Sequence, residues 1–65
     1  MDKQYKQYTI WIDDIQIATT NNLIDALRIT DTMETAVIEC KAWDSFVDFF
    51  QGKQAITKYI VDKNL

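Results

Sequence analysis

From Tyr5 to Ala18 the chain reads YKQYTIWIDDIQIA, and Tyr8, Ile10 and Ile12 alternate with Thr9 and Trp11. A period of two marks a strand with one buried face. After Asp13-Asp14 the alternation resumes with Ile15 and Ile17. Two β-rich runs joined by two short polar residues predict a hairpin, because aspartate tolerates the positive φ that a tight turn demands. Trp11 then covers the opposite face of that hairpin from Ile10.

The next segment changes period. Thr19 to Asn22 is a run of helix-capping residues, and Leu23, Ala26, Leu27 and Thr30 follow at the spacing of one helical face. Asn22 and Asp25 stand three apart, as in a capping box, and Asp25 suits the positive end of the helix dipole. Arg28 lies toward the other end, where a cation is favoured. A helix from about Asn22 to Asp31 or Thr32 is expected.

The stretch TAVIECKAWDSFVDFF, from Thr35 to Phe50, supports two incompatible periods. As a strand it places Ala36, Ile38 and Cys40 on one face and Thr35, Val37, Glu39 and Lys41 on the other. As a helix opening at Asp31, with Glu34 completing a capping box, it aligns Met33, Ala36, Cys40, Trp43, Val47 and Phe50. That seam is shorter than a coiled coil requires. The strand is favoured for residues 35 to 42, because a helix there would leave no turn after the preceding helix and because Val37 and Ile38 suit a sheet. Ser45 and Asp48, again three apart, then cap a short helix from Phe46 to Gln51 that Gly52 ends as its C′ residue. Ile56 to Val61 is rich in strand formers and predicts a last strand, with residues 62–65 fraying.

These elements give one α+β domain over residues 1–65, with a small single-layer mixed or antiparallel sheet packed on one or two short helices in the order β-β-α-β-α-β. The alternative is a β-hairpin followed by a helical hairpin with a long helix over residues 33–50.

Size sharpens this picture. A chain of 65 residues allows one domain, and a domain this small is marginal unless stapled, metal-bound or oligomeric. The single Cys40 excludes an internal disulfide. With no histidine, one thiol cannot build a tetrahedral zinc site. Self-association or partner binding is therefore the expected staple. The net charge of −3 disfavours nucleic acid, since phosphate binding rests on lysine and arginine. No signal peptide or membrane-length apolar run is expected, and a lone cysteine suits a reducing, cytoplasmic setting. The absence of proline and the lean to isoleucine, lysine, aspartate and asparagine read as AT-rich coding, which points to a bacterial or phage source.

The chemistry available for catalysis is sparse. General acid-base work at neutral pH most often uses histidine, which is absent, and Cys40 has no imidazole to activate it. Asp13 and Asp14 belong in a turn, and one glycine cannot build a phosphate loop. No enzymatic role, catalytic residue, cofactor or metal is expected. A strand followed by helices in a short chain is also the order of ribbon-helix-helix repressors. Those proteins carry basic or amide side chains on the outward strand face, where this chain has Thr9 and Trp11.

The remaining signal is apolar surface in excess of what a small sheet can enclose. Trp43, Phe46, Phe49 and Phe50 form the first candidate protein-binding face, with Asp44 and Asp48 as an acidic rim suited to a basic partner. Trp11, with Tyr5 or Tyr8, forms the second. The expected function is a small protein-binding module, from a phage or mobile element, that docks on a host protein and modulates it, with homodimerisation as part of that expectation. A nucleic-acid-associated regulator is the alternative, and a binder of a small ligand lined by the aromatics is a third reading.

Overall fold

The computed structural model describes residues 5–63. Its elements run β1 (Tyr5–Ile12), β2 (Ile15–Thr20), α1 (Leu23–Thr30), β3 (Thr35–Trp43), α2 (Phe46–Phe50) and β4 (Ala55–Asp62). The strands form one sheet in the order β2-β1-β3-β4, and every neighbouring pair is antiparallel. This is the expected α+β order. Since β2 and β3 both run antiparallel to β1, they are parallel to each other. The segment β2-α1-β3 must therefore cross over β1, and it carries α1 across one face of the sheet.

The turn at Asp13-Asp14 is closed by two aspartates in the left-handed region, φ 48° and 68°. Two consecutive positive φ values give the twist that a two-residue hairpin needs. The β1–β2 register slips beyond it: Ile10 pairs with Ala18, but Trp11 pairs with Gln16. Ile17 is the additional residue, so β2 is bulged and the alternation of Ile15 and Ile17 does not continue smoothly into Ala18.

Both helix starts follow the capping residues. The Asn22 side chain accepts from the Ile24 backbone N–H at 2.8 Å. The Asn22 backbone N–H is directed to the Thr20 hydroxyl at 3.3 Å, rather than to Asp25 as a capping box would have it. In α2, Ser45 accepts from the Asp48 N–H at 3.1 Å. That helix ends with Gly52 at φ 71°, the Gly52 N–H bonded to Phe49 C=O and the Lys53 N–H to Asp48 C=O. The paired bonds form the C-terminal closure that a glycine at C′ permits.

The conflict over residues 35 to 42 resolves as a strand. β3 is paired along its length with β1 on one side and β4 on the other. A helix there would leave both neighbours without their central partner, and two ladders of hydrogen bonds outweigh a short heptad pattern. Ala36, Ile38 and Cys40 join Tyr8, Ile10 and Ala26 in the core, with Ile12, Ala18, Ile29, Met33 and Val61 packed around them. Ile10 and Ile38 have no exposed surface. Burying each contributes roughly 1.5–3 kcal/mol.

α1 meets β1, β2 and β3. Its inward residues are Ala26 and Thr30, while Leu23 and Leu27, expected on the same stripe, remain partly exposed on its flank. The buried Thr30 hydroxyl is satisfied within the helix, donating toward Ala26 C=O and Leu27 C=O at 3.2 Å each. The far end of the chain is tied to this helix. Asp62 completes β4, the Lys63 N–H bonds Glu34 C=O at 2.9 Å, and Lys63 Nζ donates to Thr30 C=O and Asp31 C=O. The fraying expected from residue 62 onward is thus corrected for Asp62 and Lys63, because a cation at a helix C-terminus meets orphan carbonyls there. Residues 64–65 lie outside the described range.

Candidate protein-interaction surface

Strand alternation gives the sheet two faces of different character. Tyr8, Ile10, Ala36, Ile38 and Cys40 look toward α1. Tyr5, Thr9, Trp11, Val37, Glu39, Lys41 and Trp43 look the other way. Among the described residues, α2 packs on that second face at the end where Tyr5 pairs with Trp43. Phe46 lies 4.9 Å from Tyr5 between ring centroids, and Phe49 lies 5.2 Å from Trp43 in an edge-on arrangement. Both distances suit aromatic pairing.

Among the expected contact residues, Trp43 is seated beneath α2 at 9% exposure, so it supports the surface from below rather than presenting itself. Phe46, Phe49 and Phe50 are the exposed members, Phe50 at 82%, and no residue of α2 is buried. Phe50 packs edge-on against Phe49 at 5.6 Å. Val47, which the candidate face did not include, is also exposed. Five consecutive residues therefore carry three phenylalanines and a valine to solvent around Asp48. Asp44 and Asp48 border this patch and share a shallow cleft with Ala42, Lys53, Gln54 and Ala55.

The second candidate separates. Tyr8 is 6% exposed and sits in the core. It does not accompany Trp11, because residues three apart in a strand lie on opposite faces. Trp11 lies half-buried on the open face, beside a cleft of about 520 Å³ lined with Asp13, Asp14, Val37, Glu39 and Lys58. Tyr5, the other residue weighed beside Trp11, is occupied by Phe46.

Tyr8 and the buried Cys40 are cross-strand partners. Burial pushes the Tyr8 phenol above its ordinary value, and the neighbouring Cys40 thiol, its hydrogen bond and Tyr59 push it the same way. A neutral tyrosine against a thiol in a core is a packing arrangement. Among the described residues, no group of three or more histidine, cysteine or acidic side chains is placed to hold a metal ion, and no helix is long and apolar enough to cross a membrane.

No protein-family model, curated protein sequence or solved structure matches the chain.

Proposed function

We propose that the protein is a non-enzymatic protein-binding module whose contact element is α2. The observation that carries this reading is the exposure of Phe46, Val47, Phe49 and Phe50 on one capped helical turn, at 52–82%. Large apolar side chains left contiguous in water mark interaction surfaces. Here Ser45 and Gly52 fix the turn while Tyr5 and Trp43 support it, so the patch is presented on a formed element and little ordering is needed on binding.

The partner that fits is a protein with an apolar groove and a basic margin, since Asp44 and Asp48 border the patch and the chain carries net charge −3. The setting proposed with this reading is a phage or mobile-element protein docking on a host protein, in keeping with the lean to isoleucine, lysine, aspartate and asparagine. A nucleic-acid partner is disfavoured by Asp13, Asp14 and Glu39, which accompany Lys58 around Trp11 and would repel phosphates.

The test is affinity capture from lysate of the source cells with the wild type, Phe46→Ser, Phe50→Ser and Trp11→Ala. A protein held by the wild type and Trp11→Ala, and lost from both phenylalanine variants, is the expected result. Equal capture by all four proteins overturns the assignment.

A further inference from the structure

The two edges of the sheet differ in protection. β2 has six residues and carries the bulge at Ile17, and bulges blunt an edge against further pairing. β4 has eight residues, AITKYIVD, and pairs with β3 without a break from Ala55 to Asp62. It contains no proline and only one charge before its last residue, Lys58. Ile60 is 79% exposed on it. A long, regular, apolar edge presents unpaired N–H and C=O groups that template another strand.

The groups that face outward can be identified. The Lys63 N–H bonds Glu34 C=O, and the β3–β4 register places Thr35 opposite Asp62. Backbone groups alternate in direction along an antiparallel strand. Val61, Tyr59 and Thr57 therefore share the inward direction of Lys63. Ile56, Lys58, Ile60 and Asp62 turn their N–H and C=O groups away from β3.

We infer that β4 pairs antiparallel with β4 of a second copy, about a twofold axis through Ile60, to make one continuous eight-stranded sheet. A twofold operator normal to the sheet matches outward residues with outward residues, leaving three central registers. Centring on Lys58 sets two lysines opposite each other. Centring on Tyr59 sets Lys58 against Ile60 and Asp62 against Ile56. Centring on Ile60 brings Ile60 onto its own copy and Lys58 opposite Asp62 twice, with six backbone hydrogen bonds from the described residues. Opposite charges in cross-strand pairs stabilise and like charges destabilise. The lysine that would guard this edge against other strands is complemented in that register alone.

The molecule is more open than a compact monomer of its length. The chain exposes 5073 Å², against about 4,300 Å² for a compact monomer of this mass. The excess is shared by the exposed α2, the outer flank of α1 and the β4 edge. The radius of gyration is 12.9 Å, against about 11 Å for a compact chain of this length. This inference does not depend on the α2 reading, which concerns a different element.

The experiment is molar mass by light scattering across a concentration series, with circular dichroism to establish that each variant is folded. The wild type is expected to be a dimer. Lys58→Asp, which sets like charges opposite, is expected to be a monomer, and Lys58→Asp combined with Asp62→Lys is expected to restore the dimer. Ile60→Pro removes an outward N–H that β3 does not use, and provides a second route to the monomer. A wild type that is monomeric at every concentration overturns the inference. So does a dimer that survives both Lys58→Asp and Ile60→Pro, and failure of the charge swap to restore dimers overturns the register. Phe50→Ser is expected to leave the dimer intact.

Discussion

The two helices begin alike and end differently. Each is capped by a short polar side chain, Asn22 in α1 and Ser45 in α2. α1 turns Ala26 and Thr30 inward and seals Ile10 and Ile38 beneath them. α2 buries none of its residues and exposes its bulkiest ones. Small inward residues allow a helix to lie close on a sheet, and that closeness excludes water from the β-branched residues below. α2 instead rests on the sheet through Phe46 on Tyr5 and Phe49 on Trp43. Capping therefore makes a helix but does not decide whether it serves the core or the surface.

The sharpest way to break this contrast is to hollow out the sealed face. Ile38→Ala should cost about 2–5 kcal/mol, a large part of the roughly 3–10 kcal/mol available to a domain of this length. Urea denaturation should show the midpoint collapse or the native baseline vanish. If the loss is below about 1 kcal/mol, the α1 face is not the core.

A smaller effect separates the two helices directly. Asn22→Ala should lower global stability by about 1 kcal/mol, the typical cost of losing an N-cap, because the core cannot persist without α1. Ser45→Ala removes an equivalent bond but should fray α2 locally and leave the denaturation midpoint nearly unchanged. Hydrogen exchange checks this, with α2 amides exchanging by local opening and α1 amides near the global limit. Equal losses from both substitutions would show that α2 is as structural as α1.

The core face also has a pH signature. The folded Tyr8 phenol lies above its ordinary value near 10, so the fold favours the neutral form. Its contribution is fully present below about pH 10 and is lost as pH rises through the folded value. Tyr8→Phe should melt lower than the wild type near neutrality, by roughly 0.5–1.5 kcal/mol for the lost hydrogen bond. The gap between them should narrow in strongly alkaline buffer. A constant gap would mean that Tyr8 is not held neutral by the core.

The smallest effect belongs to the open surface. Phe50→Ser should change stability by less than about 0.5 kcal/mol, as surface substitutions do, while abolishing capture of a partner. A substantial loss of stability in the denaturation curve would move Phe50 into the structural set.

Much of the secondary structure was legible because its causes are local. Asp13 and Asp14 accept positive φ, Asn22 and Ser45 cap, Gly52 ends α2, and Ile10 and Ile38 alternate with their neighbours. The candidate contact face was legible only in outline. Hydrophobicity placed Trp43 with the phenylalanines, but Trp43 closes a strand and is buried by the helix it precedes. Tyr8 could have been assigned to the core from its alternation with Ile10 alone, and pairing it with Trp11 contradicted that alternation. The bulge at Ile17 and the Lys63 anchor had no local signal, since each depends on residues that meet only after the crossover.

The sequence by itself determined the Asp13-Asp14 turn, the caps at Asn22 and Ser45, the stop at Gly52 and the alternation of Ile10 and Ile38 with their neighbours. Those follow from backbone sterics, capping and the periods of strand and helix, which act over a few residues. The choice of strand over helix for residues 35–42 waited for the pairing of β3 with β1 and β4. Only the tertiary structure decided that β3 lies between β1 and β4, that α1 covers one face and α2 one end of the other, and that β4 is left as an unblunted edge. These depend on contacts far apart in the chain. The same exposed or buried outcome is open to an apolar residue until its covering element has been placed.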